Sequence, residues 1–320
     1  MINPRTLPKQ VLNFIRKEQL WSSGERILLS VSGGLDSMVM LDILAKNRGA
    51  HKGYLEVITF DHGVRKESSE EVEFVERKSR EYGLSCQKIA LKMEKSSHFQ
   101  EKAREERQKY WRNYPDHWIA TAHHGTDQAE TILFRFLRGT GLTGLRGMLP
   151  KQGRKIHPLL FAFREDLEEY ASYHSLEWRE DPSNAETWRG KVRELLPTLD
   201  ELRPSAMKSI SRLGRVLARD EACLQLITLR TYEQLVEERR ISYQRLRLEH
   251  PSIQLRVLRA LAEEYGITPA TVHLEQFLNW APSNGQRIQL QKGVDLHYRD
   301  GWLFFQISAR AKSFEYSARN

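Results

Sequence analysis

With 320 residues, 40% of them hydrophobic and 29% charged, the chain has the make-up of a globular protein long enough for two domains with separate cores. No apolar run reaches membrane-spanning length, MINPRTLPKQ lacks the apolar core of an export signal, and two distant cysteines, Cys86 and Cys223, make neither a disulfide framework nor a metal knuckle; a cytoplasmic protein with no membrane partner is expected. The net charge of +8, from 50 Lys and Arg against 42 Asp and Glu, suits a polyanionic partner such as nucleic acid.

The first half of the chain alternates strands and helices. Arg26 to Val31 (RILLSV) follows Ser-Ser-Gly as a short apolar run and is predicted to be a buried strand. Apolar spacing of three and four makes 36–46 a helix. Leu55 to Phe60 (LEVITF) is a second strand, 68–82 a charged amphipathic helix, and Ser85 to Ala90 a third strand. A strongly charged helix over 97–113 leads to a fourth strand, Trp118 to Ala122, and another helix starts near Thr126. Such repeats imply an α/β fold, a parallel doubly wound sheet with helices on both faces. Its ligands bind at the carboxyl ends of the strands.

After about residue 200 the pattern changes. Residues 205–237 read as one long helix, with Met207, Ile210, Leu213, Leu217, Leu224 and Ile227 near one stripe. Shorter helices follow near 251–265 and 270–279. The alternation Ile288, Leu290, Val294, Leu296, Tyr298, Trp302, Phe304, with turns QKG and RDG, predicts a small antiparallel meander. A division into 1–210 and 211–320 is expected, the second part a smaller helical domain with a short β tail.

The first strand runs into Ser32, Gly33, Gly34, Leu35, Asp36 and Ser37. Strand, glycine turn and helix N-terminus together bind phosphate, because glycine lets the backbone approach the anion and the first helical N–H groups point at it. A plain Gly-Gly turn capped by Asp36 is the alternative. A carboxylate would repel phosphate unless it shared a magnesium ion with it, which makes Asp36 the candidate metal ligand. No Gly-Lys-Ser/Thr occurs, so the loop is not a Walker A motif, and it lacks the GxGxxG dinucleotide pattern.

SGGLDS instead resembles the loop of the N-type ATP pyrophosphatases, whose sheet is adenine nucleotide alpha-hydrolase-like. These enzymes split ATP between the α and β phosphates and adenylate an oxygen of the substrate. Four further segments narrow the resemblance. Asp61-His62-Gly63-Val64-Arg65 ends the second strand, before Ser68 and Glu71. Ala103-Arg104-Glu105, with Arg107 and Tyr110, lies on the charged helix. His123-His124-Gly125-Thr126-Asp127-Gln128-Ala129-Glu130-Thr131 ends the fourth strand, followed by Arg138-Gly139-Thr140-Gly141 and Gly144-Leu145. Pro158-Leu159-Leu160 leads to Trp178, Glu180-Asp181-Pro182-Ser183-Asn184, Arg189 and Arg193. In this order, over roughly residues 20–200, they resemble the tRNA(Ile)-lysidine synthetase family.

That resemblance implies ATP and Mg2+ as cofactors. It implies tRNA(Ile) and free L-lysine as substrates, with a homodimer as an assembly to consider. ATP would adenylate the C2 oxygen of the wobble cytidine, and the lysine ε-amine would displace AMP to give lysidine. Ser32 to Ser37 would hold the pyrophosphate, with Asp61, His62 and His123 beside the nucleotide. Arg104, Arg107, His124, Arg189 and Arg193 would meet tRNA or lysine. Asp127 and Glu130, three apart on one helical face, would receive the lysine amine and its proton. Each has a plainer alternative: a turn residue for His62, a solvated charge for Arg104, an N-terminal capping pair for Asp127 and Glu130, a surface ion pair for Arg189 and Arg193. The chain departs from the family pattern at Thr126, where an acid is usual, at Gly190, where an Asn is usual, and at His98. A tRNA thiolase and a non-catalytic RNA-binding relative are the competing readings; the cysteine count weighs against the first, and intact Asp36, Asp127 and Glu130 against the second.

Overall fold

The computed structural model describes residues 1–61, 67–91, 99–179 and 188–307. The chain forms two compact units, Met1–Ala218 and Arg219–Asn320. The expected division at 210/211 falls a little earlier in the same uninterrupted helix, where composition gives no mark of the boundary.

The first unit opens with α1 (Leu7–Lys17), β1 (Arg26–Ser30), α2 (Leu35–Lys46), α3 (Arg48–His51), β2 (Tyr54–Asp61), α4 (Glu67–Glu81) and β3 (Cys86–Ala90). It continues with α5 (Phe99–Trp111), β4 (His117–Ala120), α6 (Gly125–Leu137), α7 (Leu142–Leu145), β5 (Lys151–Gln152), β6 (Lys155–Ile156), α8 (Arg164–Tyr173), α9 (Trp188–Leu202) and the start of α10 (Ala206–Leu235). Its sheet has the order β3-β2-β1-β4-β6-β5, parallel throughout except for the β5–β6 hairpin.

β1 is central, which explains why RILLS is apolar without alternating. Ile27 and Leu29 enter the large core with α1, α2 and α8, while Leu28 faces the smaller cluster of Ile58, Trp111 and Ile119 under α5. Helices therefore cover both faces, as expected. Strands β2 and β3 extend from one side of β1 and β4 and β6 from the other. The direction of winding thus reverses between β1 and β4. An open parallel sheet binds its ligand outside the carboxyl ends at such a switch point.

The second unit takes over α10 and adds β7 (Val236–Glu237), β8 (Arg240–Ser242), α11 (Tyr243–Arg247), α12 (Pro251–Glu264), α13 (Thr271–Glu275), a 3-10 turn (Gln276–Asn279), β9 (Arg287–Gln291), β10 (Val294–Arg299) and β11 (Trp302–Ile307). Its sheet, β7-β8-β11-β10-β9, is antiparallel and has its own core around Val257, Leu261, Phe277, Leu296 and Phe305.

Two sequence expectations change here. In β11 the buried residues are Leu303 and Phe305, not Trp302 and Phe304. WLFFQI is apolar at four successive positions, so alternation has no visible phase. Pairing decides it: Phe305 stands opposite the buried Leu296 and takes the same face. In α10 the apolar stripe is not the covered line, for Leu213 is 49% and Ile227 42% exposed. Apart from Leu235 at its last position, the buried positions are Ser211, Gly214, Glu221, Thr228 and Thr231, small or polar groups at helical spacing. A Cβ on Gly214 would stand 2.5 Å from Ile132 of α6, so that crossing needs glycine. Glu221 is held by both terminal nitrogens of Arg256, at 3.0 and 2.7 Å. No described helix is long and apolar enough to cross a membrane.

Candidate active site

At the switch point, Val31 N–H still donates to Ile58 O at 3.0 Å, and the chain then turns. Gly33 has φ +85°, a left-handed value natural to glycine. Ser37 ties the turn to the helix: its hydroxyl donates to Gly34 O at 2.9 Å and accepts from Ser32 N–H at 3.2 Å. Gly34 is the N-cap of α2 and supplies no capping side chain, which leaves the first helical N–H groups to an anion. The segment after α8 flanks the loop, with Arg179 N–H donating to Gly33 O at 2.9 Å.

Asp36 sits in the first turn of α2. Its carboxylate accepts from Nη1 of Arg164 at 2.9 and 3.0 Å. Arg164 begins α8, and its backbone N–H donates to Thr126 Oγ1 at 3.2 Å. Sequence reasoning missed Arg164, because the first residue of REDLEE reads as one more solvated helix charge.

From β4, the neighbour of β1, comes the second half of the site. His124, 4% exposed, is the N-cap of α6. Its Nδ1 accepts from Thr126 N–H at 3.3 Å, and its own N–H donates to the Asp127 carboxylate at 3.0 Å. An accepting Nδ1 puts a proton on Nε2. That nitrogen lies 3.6 Å from Asp36 Oδ2 and 3.4 Å from Asp127 Oδ2. Burial alone would lower the His124 pKa, but the nearby carboxylates of Asp36 and Asp127 raise it instead. Burial would raise Asp127; the charges of His124 and His123 and the His124 N–H hold it below the usual carboxylate value. So Asp127 does cap the helix, and it also faces the same imidazole as Asp36.

One turn on, Glu130 is 1% exposed and accepts from Nε of Arg193 on α9 at 2.9 Å. Glu130 and Arg193, expected to meet the substrate separately, form a pair. His123 Nδ1 is 2.8 Å from the Thr121 hydroxyl. Asp61 ends β2, the strand on the other side of β1. Arg104 is exposed on α5. Arg107 is partly buried there; burial first and then the charge of Arg104 lower its pKa, and the same two causes, with Arg107 added, lower Lys155. His62, His98 and 180–184 lie outside the described residues, as does the side chain of Arg189 on α9.

Among the described residues no three His, Cys, Asp or Glu side chains gather as a metal cage. A single carboxylate at a phosphate loop still fits magnesium, which takes one or two carboxylates and fills its shell with phosphate oxygens and water. Asp36, 29% exposed, is the carboxylate at this loop.

Residues 5–199 match the PP-loop domain family. Over 314 residues the chain is 32% identical to the tRNA(Ile)-lysidine synthase of Thermosipho africanus (strain TCF52B), covering 93% of this chain and 72% of that one. The chain belongs to the PP-loop family of tRNA(Ile)-lysidine synthases. It is 31% identical over 304 residues to the Bacillus subtilis (strain 168) synthase, covering 87% of this chain and 64% of that relative. It covers 51% of the Persephonella marina synthase, about half its length. Among solved structures, the U34-tRNA thiolase NcsA from Methanococcus maripaludis superposes with a TM-score of 0.56 at 19% identity, over 67% of this chain and 80% of that one. That likeness shows the fold.

Proposed function

We propose that this chain joins free L-lysine to C2 of the wobble cytidine in a tRNA(Ile) with a CAU anticodon, forming lysidine in the cytoplasm. ATP becomes AMP and pyrophosphate by way of an adenylated tRNA. The observation that carries the reading is the His124 ring between Asp36 and Asp127, 3.6 and 3.4 Å from the two carboxylates. It joins the phosphate loop after β1 to Asp127 in the first turn of α6, so activation and amine attack need no transfer between sites.

The chemistry follows from the groups present. The N–H groups of Gly33 to Asp36 hold the pyrophosphate portion of ATP. Magnesium, when bound through Asp36, neutralises phosphate charge. The cytidine C2 oxygen attacks the α-phosphorus; the new P–O bond forms as the bond to pyrophosphate breaks. An oxygen on a pyrimidine ring is a poor leaving group, and its adenylate is a good one. The lysine amine then attacks C2 and AMP departs with the C–O bond electrons. The ammonium must shed one proton before it attacks, and Asp127, ionised and at the site, accepts it; the second leaves the new C–N nitrogen to the departing AMP or to water. Glu130 fixes the guanidinium of Arg193, whose exposed side is suited to a carboxylate or phosphate.

Cys86 does not favour sulfur transfer: burial raises its pKa, against thiolate formation. The test is pyrophosphate release with defined tRNAs. Release should require the CAU tRNA(Ile) and should fall to background when its wobble cytidine is replaced by uridine. Equal release with both tRNAs, or without tRNA, would sink the assignment.

A further inference from the structure

α2 and α8 are bonded at two levels. In the first turn of each, the Asp36 carboxylate accepts from Nη1 of Arg164 at 2.9 and 3.0 Å. Six residues further along each helix, Asp42, 1% exposed, accepts from the Tyr170 hydroxyl at 2.7 Å. The equal spacing means that the two helices run side by side in the same direction. The second bond is part of a buried cluster, since Asp42 also accepts from the Tyr82 hydroxyl and pairs with Lys46 Nζ at 2.7 Å. The Arg164 backbone is fixed as well, by its N–H on Thr126 Oγ1. α8 is therefore anchored, and Arg164 can change partner only by turning its side chain.

That side chain is 43% exposed. Besides Nη1 on Asp36, its Nε donates to Glu168 Oε1 at 2.9 Å, one turn further along α8. Nη2 has no hydrogen-bond partner among the described residues. A guanidinium carries five donors in a planar fork that fits phosphate oxygens. This one stands at the helical turn whose N–H groups are suited to the anion. His124 also faces Asp36, but it is buried and caps α6, so it is not the group that gives way. With a magnesium ion on Asp36, Arg164 is repelled by the metal and drawn to the phosphate oxygens that share it.

We propose that Arg164 is a phosphate-binding residue that serves two anions in turn: it neutralises Asp36, and it passes to the β- or γ-phosphate of ATP when the metal takes that carboxylate. The inference rests on the reading that ATP binds at Ser32 to Ser37 with magnesium on Asp36. Glu168 keeps the guanidinium close while it changes partner. Arg164 thus competes with the metal when no phosphate is present and assists it when ATP brings one. Its loss must therefore act in opposite directions on the metal alone and on the nucleotide, which the loss of a merely structural ion pair would not do.

The test uses the full chain with Arg164→Gln, which removes the charge, and Arg164→Lys, which keeps it without the fork. Three dissociation constants are read: Mn2+ alone by electron paramagnetic resonance, and ATP and AMP, each with Mg2+, by titration calorimetry. Arg164→Gln should bind Mn2+ about tenfold more tightly, and adding Asp36→Asn should abolish that gain. The same Arg164→Gln chain should bind ATP about tenfold more weakly, the worth of one hydrogen bond between charged groups, with AMP unchanged because it lacks the β- and γ-phosphates. Arg164→Lys should fall between wild type and Arg164→Gln in both Mn2+ and ATP affinity. Mn2+ binding that is unchanged or weaker in Arg164→Gln overturns the competition for Asp36. ATP binding unchanged, or ATP and AMP weakened alike, overturns the contact with the β- or γ-phosphate. Both expected changes in a chain that forms no lysidine would uphold Arg164 and count against the proposed reaction alone.

Discussion

Asp127 and Glu130 share a helix face but not a condition. Asp127 stands at the pocket beside His124, and Glu130 lies a turn deeper beneath Arg193. Their amides should therefore fail differently. In the proposed mechanism Asp127 takes the amine's proton, so in Asp127→Asn lysine transfer should fall about 10²–10⁴-fold while adenylated tRNA accumulates. Glu130→Gln leaves Arg193 without its counter-charge, and since Arg193 is half-exposed the stability loss should be about 1–2 kcal/mol, with a raised KM for lysine. Labelled lysine incorporation and thermal melting separate the two; equal behaviour of both variants would contradict the division of roles. Asp127 also carries a pH signature. A carboxyl held below its unfolded pKa stabilises the fold above that value, and the gain is lost as pH falls through the folded pKa. The Tm difference between wild type and Asp127→Asn should stay constant above about pH 5 and shrink below about pH 4.

Elements, more than single residues, decide how close the two halves of the site can come. Gly125 opens α6, and a Cβ there would stand 2.8 Å from Ala162 O and 2.9 Å from the Phe163 ring. That close approach brings Thr126 to the start of α8, where Arg164 reaches Asp36. Gly125→Ala should force α6 and α8 apart, cost about 1–3 kcal/mol of stability, and weaken ATP as well as lysine use, although Gly125 touches neither. Thermal melting and the two KM values check this; an unaffected ATP KM would show that α8 does not help to form the nucleotide site. The core strands and helices of the first unit were legible in the sequence, because RILLSV and LEVITF are continuous apolar runs and SGGLDS marks the turn. The Arg164–Asp36 and Arg193–Glu130 pairs were not, since each joins residues more than sixty positions apart and each arginine alone looks solvated. Nor was the packed line of α10, which is small and polar, or the phase of β11, which cross-strand pairing sets.

Across the whole molecule the positive charge is unevenly shared. Residues 1–218 hold 36 Lys and Arg against 30 Asp and Glu, and residues 219–320 hold 14 against 12. Most of the excess thus travels with the PP-loop unit, and tRNA affinity should fall steeply with salt, since each neutralised phosphate releases counterions. Each unit has its own core, so removing 219–320 should leave ATP binding near that of the whole chain. It should weaken tRNA binding further, if the second unit adds contacts of shape rather than charge, and leave the salt slope little changed. A truncated chain that binds tRNA with full affinity would assign the second unit another role. The central claim is the chemical product. The direct measurement is incubation of the chain with ATP, labelled lysine and total tRNA, followed by nucleoside analysis. The expected result is labelled lysidine with the wild type and none with Asp36→Ala, which should stay folded because Asp36 lies at a partly exposed turn. Labelled lysine absent from the nucleosides, while ATP is converted to AMP and pyrophosphate, would contradict it.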